Sequence, residues 1–304
     1  MSDVLPSWRP GPTRDAVLAF LEAAPDIAPQ DRLACFDNDG TLWCEKPNYV
    51  QLEFLLRALA THVAAEPHLK EKPEFAALLG GDTAAMQELG LARIAMALTG
   101  LFDGMRAEDF GAQVRDFMAG ASHPTLDRPL RTTVYQPMLE LVAALRALDF
   151  TVTVVTGGGT EFVRALSHDL YDVPPEHVVG TLIEYDYAKG ADGPVLTRST
   201  RLLGDPNEGP AKVVHIQSQL GRRPVFAAGN TGGDREMLVW AHGAAGPSLA
   251  VLIDHDDPDR EFRYEGQGVT TADVESITEV GRREGWIVVS MAQDWETVFV
   301  PADG

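Results

Sequence analysis

The sequence predicts an α/β fold: a doubly wound, mostly parallel sheet with a helical block inserted after its first strand. Three observations lead there. Beyond Pro124, short β-branched runs alternate with amphipathic helical runs. From about residue 48 to 120 the chain instead reads almost wholly helical. Polar clusters at 37–41, 156–160 and 229–234 each close a strand-like run. Strand ends are where ligands bind in open parallel sheets.

The elements follow in order. Residues 13–24 read as a helix, with Pro12 and Thr13 near its start and Val17, Leu18 and Leu21 on one face. Residues 33–36 form a short buried strand. "YVQLEFLLRALATHVAA", "DTAAMQELGLARIAMALTGLF" and "RAEDFGAQVRDFMAG" are helical, punctuated by Pro73, the glycines at 80–81 and "DG" at 103–104. "QPMLELVAALRALDF" is an amphipathic helix, "TVTVVT" a strand, and "GGGTEFVRAL" a Gly-rich turn into a helix. "HVVGTLIEYDY" and "GPVLTRST" read as the arms of a hairpin around "AKGADG". "GPAKVVHIQSQLG" and "GGDREMLVWAHG" are helices on either side of the strand "PVFAAG". "SLAVLI" and "WIVVSM" are further buried strands, with a helix between them in "TADVESITEVGRREG".

Composition bounds the function. The chain has 304 residues, 45% of them apolar, enough for a sizeable core. Its 45 acids against 25 bases give a net charge of −20, which repels nucleic acid and anionic membrane. An anionic substrate therefore needs a local positive group or a metal. Cys35 and Cys44 support neither a disulfide framework nor a zinc pattern, which fits a reducing, cytoplasmic setting. The N-terminal residues lack a basic region followed by an apolar run, so no signal peptide is expected. No stretch approaches the about 20 apolar residues of a membrane helix.

The clusters carry the chemistry. Asp37 follows Phe36 directly, and its carboxylate can attack phosphorus as a nucleophile. Asp39 can protonate a leaving oxygen and later take a proton from water. Gly40 permits a tight turn away from the strand. The same D-x-D-G also opens calcium loops, but Leu42, Trp43 and Cys44 do not supply the further ligands such a loop needs. Thr156, Gly157 and Gly158 pair a hydroxyl with backbone amides at a helix start, which makes an anion cradle or an ordinary Gly-rich turn. Lys212 stands in the first turn of a helix, against the helix dipole, which suggests a counter-charge such as a phosphoryl group or Asp37. Asn230 and Asp234 can complete an oxygen shell for Mg²⁺ with Asp37, or cap the next helix.

In this order, the clusters resemble the motifs of the haloacid dehalogenase-like (HAD) hydrolase superfamily. The match is to its phosphatase branch, with a phosphoserine phosphatase-like layout. The resemblance implies Asp37 as nucleophile, Asp39 as general acid and base, and Thr156 and Lys212 as phosphoryl-binding groups. It implies Mg²⁺ held by Asp37, the backbone carbonyl of Asp39, and the Asn230/Asp234 region. It makes residues 45–130 a C1-type cap over a core of residues 1–44 and 131–304. The implied function is a Mg²⁺-dependent phosphatase acting on a small phosphorylated metabolite through an aspartyl-phosphate. The alternatives are a phosphotransferase of the same family, or a catalytically weak sensor that binds a phosphorylated ligand.

Two departures stand out. The family's last motif begins Gly-Asp, and here Asn230 replaces that acid. An amide oxygen can still ligate Mg²⁺, or Asp234 can move into direct coordination. Glu45 lies one residue from the place of the glutamate that holds the substrate ammonium in phosphoserine phosphatases. Asp39 argues against dehalogenation, whose branch lacks the second aspartate. Trp43, Glu45, Lys46 and Tyr49 are candidates to line the substrate pocket, and Arg93 to reach a substrate carboxylate. "IDHDDPDREF", with five acids around His255, reads as an acidic loop.

Overall fold

The computed structural model describes residues 4–190, 193–268 and 275–302. Helix α1 (Pro12–Ala23) leads into β1 (Leu33–Phe36). Then come α2 (Val50–Ala65), α3 (Pro73–Gly80), α4 (Thr83–Leu89), α5 (Leu91–Thr99) and α6 (Ala107–Gly120). Helix α7 (Gln136–Ala147) precedes β2 (Thr151–Gly159), the short helices α8 (Thr160–Arg164) and α9 (Ser167–Tyr171), and β3 (Val178–Thr181). A hairpin of β4 (Ile183–Gly190) and β5 (Gly193–Leu202) follows. The chain continues through α10 (Pro210–Leu220), β6 (Phe226–Gly229), α11 (Arg235–His242), β7 (Leu249–Asp256) and β8 (Arg263–Tyr264). It closes with α12 (Ile277–Glu284), β9 (Ile287–Ser290) and α13 (Met291–Asp294).

The main sheet runs β3-β2-β1-β6-β7, with β9 on the other side of β7, and all these pairings are parallel. In this sheet β8 pairs antiparallel, at the end of β7. The chain winds outward from β1 through β2 to β3, then returns past β1 to β6. That reversal puts a topological switch point beside β1, at the carboxyl ends of the strands. Strand β1 is buried along its whole length, as a central parallel strand must be. Ala34 and Phe36 face one helical layer, with Phe20, Leu141 and Trp295. Leu33 and Cys35 face the other, with Ile216, Met237 and Val280.

The helices α2–α6 lie between β1 and β2 in sequence and share an aromatic centre. Phe54 meets Phe102, Phe110 and Phe117 at ring-centroid distances of 5.4, 5.7 and 5.5 Å. It also meets Phe162 of α8 at 5.5 Å, which ties this block to the sheet. The outgoing and returning chains run side by side: Cys44 N donates to Thr133 O at 3.0 Å and Tyr135 N to Leu42 O at 2.9 Å. Among the described residues, no helix is long and apolar enough to cross a membrane.

Several expected elements differ. Strand β2 runs through Gly159 instead of turning after Thr156, because Gly159 still pairs with Thr181 across a register shift. The predicted hairpin arm at 177–187 divides at Leu182. Val178 and Val179 are buried against Val154 and Val155 in the main sheet, and only residues beyond 182 enter the hairpin. The acidic stretch at 253–262 is the end of β7 and a turn, with His255, Asp257 and Glu261 buried. The helix expected at 271–285 is present as α12, and residues 271–274 lie outside the described residues.

Candidate active site

The site is built outward from the end of β1. Asp37 N donates to Ala228 O at 2.9 Å, so the β1–β6 pairing continues one step beyond the strand and sets the Asp37 side chain at the switch point. The following turn is closed by Leu42 N to Asn38 O at 2.8 Å and Gly40 N to Trp43 O at 2.8 Å. Gly40 sits at φ +76°, where L side chains rarely go, and a Cβ there would lie 1.9 Å from Asn230 Nδ2. The turn brings Asp39 back toward the strand end. Trp43 Nε1 donates to its Oδ1 at 2.9 Å and Asn38 Nδ2 to its Oδ2 at 3.4 Å.

Lys212 supplies the counter-charge. Pro210 at the start of α10 needs no N–H partner. The Lys212 ammonium reaches back across the site, donating to Asp37 Oδ1 at 2.6 Å, Asp234 Oδ1 at 2.6 Å and Val155 O at 3.0 Å. Its three protons thus meet three acceptors. Burial pulls the lysine pKa down, but Asp234 and Asp37 outweigh it and hold the pKa above its ordinary value. Asp37 is raised well above the usual carboxylate range by burial and by Asp234, with Lys212 opposing. Burial raises Asp39 too, against hydrogen bonds from Trp43 and Asn38.

Both oxygens of Asp234 accept from the protein's own donors. Its Oδ2 accepts from Asn230 N and Thr231 N, both at 3.0 Å, and from Thr231 Oγ1 at 3.2 Å. With Oδ1 on Lys212, it fixes the loop and the lysine. The expectation that Asp234 ligates Mg²⁺ thus meets a carboxylate already engaged as a structural tie. Asn230 is the residue facing Asp37. Its Oδ1 lies 3.3 Å from Thr41 Oγ1, which also approaches Asp37 Oδ2 at 3.5 Å. Its Nδ2 donates to Glu45 Oε1 at 3.4 Å.

Thr156 lies at the neighbouring strand end, where its Oγ1 accepts from Gly158 N at 3.0 Å. Gly157 is exposed and Gly158 half-buried beside it. Trp43 does not line a pocket: it is 1% exposed, packs against Phe162 and Tyr171, and holds Asp39. Glu45 is 2% exposed, and burial raises its pKa. Lys46 lies 3.6 Å from it, over the Tyr264 ring. Arg93 is paired with Glu74 at 2.5 Å on the surface of the helical block.

Of the other residues at the site, Gln51, Asn207 and Tyr171 carried no signal in the sequence. Gln51, in the first turn of α2, accepts from Gly159 N at 2.9 Å and so lays the helical block on the site. Asn207, fully buried, donates to Thr156 O at 2.8 Å and Val179 O at 3.2 Å. Tyr171 donates to Asn38 Oδ1 at 3.0 Å. Tyr49 is half-buried near the acids: burial, then Glu45, Asp39 and Asp37, push its hydroxyl pKa up.

No curated protein matches the chain. A protein of unknown function from Bordetella pertussis Tohama I is similar in structure, with 17% identity and a TM-score of 0.53, covering 85% of this chain and 97% of the other. A HAD family hydrolase from Salmonella enterica serovar Typhi has 16% identity and a TM-score of 0.42, covering 77% and 66%. A probable phosphoserine phosphatase from Vibrio cholerae has 15% identity and a TM-score of 0.41, covering 75% and 58%. The model of the haloacid dehalogenase-like hydrolases matches residues 34–239, a span running from β1 through Asp37, Thr156 and Lys212 to α11, and the chain belongs to that family.

Proposed function

We propose that the chain is a phosphatase that hydrolyses a small phosphomonoester through an aspartyl-phosphate on Asp37. One observation carries this reading: Asp37 and Asp39 leave the same strand end, and the buried Lys212 ammonium sits 2.6 Å from Asp37. A nucleophile, a proton carrier and a fixed positive charge thus share one small space.

Asp37 attacks phosphorus, and the bond to the ester oxygen breaks. The Asp39 carboxyl gives its proton to that oxygen, and its raised pKa keeps the proton available. In the second half, the Asp39 carboxylate takes a proton from water. The water oxygen then attacks phosphorus, and the bond to Asp37 breaks. Lys212 offsets charge on the phosphoryl group. The Thr156 hydroxyl, whose oxygen accepts from Gly158 N and whose proton reaches the Asp39 carboxylate, turns to a phosphoryl oxygen when the ester binds.

The donor set fits Mg²⁺. Asp37 Oδ2 and Asn230 Oδ1 converge on one hydroxyl, and the Asp39 carbonyl leaves the same turn. All are hard oxygens, suited to a cation that keeps several waters. Among the described residues, no cluster of three or more His, Cys, Asp or Glu forms a metal cage. A mixed set of one carboxylate, one amide and one carbonyl is consistent with that. Bound there, Mg²⁺ keeps Asp37 ionised and offsets phosphoryl charge. The block of residues 45–130, laid on β2 through Gln51, serves as the cap that excludes water, over a core of residues 1–44 and 131–304.

The test is phosphate release from an aryl phosphate. Activity is expected with Mg²⁺ and lost with EDTA. Asp37→Asn is expected to fall to background, and Asp39→Asn to lose about 10²–10⁴-fold. Activity that survives Asp37→Asn sinks the mechanism. Tight phosphate-ester binding without turnover favours a sensor.

A further inference from the structure

We infer that His255 is a positioning residue that pins the catalytic turn by donating a hydrogen bond to the Gly40 carbonyl. The inference rests on the phosphatase reading for its consequence and on geometry alone for the contact. His255 lies near the end of β7, 215 positions from Gly40 in sequence, and its Nε2 stands 2.8 Å from Gly40 O. A carbonyl only accepts, so this nitrogen donates.

The other ring nitrogen is fixed as well. Nδ1 lies 3.2 Å from Glu261 Oε2. Glu261 is surrounded by donors. Tyr135 OH and Cys44 Sγ reach its Oε1 at 3.0 and 3.1 Å, and Phe262 N reaches its Oε2 at 2.6 Å. Burial pushes the Glu261 pKa up, yet His255, Cys44 and Phe262 outweigh it and hold the carboxyl below its ordinary value. The imidazole is stacked on Tyr264 with ring centroids 4.3 Å apart and planes 20° apart. Its side chain is 1% exposed, and that of Glu261 is 0% exposed. The ring is therefore held by β8, by the turn after β7 and, through Glu261, by the segments on both sides of the helical block.

A buried histidine with a satisfied carboxylate is ordinary core structure in many proteins. Here the contact has a particular target. Gly40 is the residue between Asp39 and Thr41, and its missing Cβ is what admits the Asn230 side chain. A shift of the Gly40 peptide moves the proton carrier and the amide ligand together. No part of His255 need touch substrate for this to matter, since a misplacement of about 1 Å at a reacting group costs about 10²-fold in rate.

The experiment compares His255→Gln, whose amide can still donate to Gly40 O, with His255→Leu, which cannot. Backbone hydrogen exchange over residues 37–44 is read by mass spectrometry. His255→Leu is expected to speed exchange there about tenfold, the loss of one buried hydrogen bond, while His255→Gln stays near wild type. On an aryl phosphate, His255→Leu is expected to lower kcat about 10²-fold with little change in KM, and His255→Gln to restore most of it. If His255→Leu does not fold, His255→Asn, whose amide is too short to reach Gly40, takes its place. Unchanged exchange at 37–44, or equal losses in the Gln and Leu variants, overturns the inference. A wild type that hydrolyses no phosphate ester overturns the proposed function instead, and the exchange contrast still decides the role of His255.

Discussion

Lys212 faces two carboxylates with one charge, so removing it leaves Asp37 and Asp234 buried against each other. Lys212→Met is expected to destabilise the protein by about 3–5 kcal/mol at neutral pH, measured by urea unfolding. The pH dependence follows from Asp37, whose pKa is raised on folding. Such a group favours the folded state at acid pH, and that benefit fades as pH rises through the raised value. Without the lysine the raising is larger, so the deficit of Lys212→Met should shrink on acidification. A deficit independent of pH would mean that the lysine stem, not its charge, is what matters. At this scale the sequence was partly legible. Asp37 and Asp39 announce themselves by standing together after a buried strand, and Lys212 by its place against the helix dipole. The role of Asp234 was not legible, because it depends on which of its oxygens the loop amides reach. His255 was hidden among acids because its partner lies 215 positions away.

Among the elements, the turn after β1 is the tightest. Gly40→Ala would place a Cβ in the left-handed region and 1.9 Å from Asn230 Nδ2. A loss of about 2–4 kcal/mol in stability, together with lost turnover, is expected from denaturant unfolding and the aryl phosphate assay. A near-neutral result would show that Asn230 can leave its place freely. Strand and helix types were legible wherever apolar periodicity was strong, as in α7, α10 and β6. The glycines at 157–159 misled because glycine usually marks a turn. Pairing of Gly159 with Thr181, and Thr181 Oγ1 donating to Gly157 O at 2.8 Å, keep them extended. The division at Leu182 was equally invisible, since both parts of that stretch are strand-like and only tertiary pairing separates them.

Across the whole molecule, the alternation of strands and helices was enough to read the sheet, and the long helical run was enough to read the insertion. What joins the two could not be read. That junction is Phe54, which contacts rings of the helical block and Phe162 beside the sheet. Phe54→Ala is expected to cost about 3–5 kcal/mol and to expose α2–α6 to limited proteolysis before the sheet is cut. Simultaneous cleavage of both regions would show that they unfold as one unit. The distance along the chain between the acid and its counter-ion has a consequence for synthesis. Lys212 is 175 positions after Asp37. At about 5–20 residues per second on a ribosome, Asp37 is made roughly 10–35 s before its lysine. During that interval β6 is not yet made, β2 arrives only in its later part, and the aspartate pair has no ammonium. The acid and its counter-ion therefore come together only when the second half of the protein arrives.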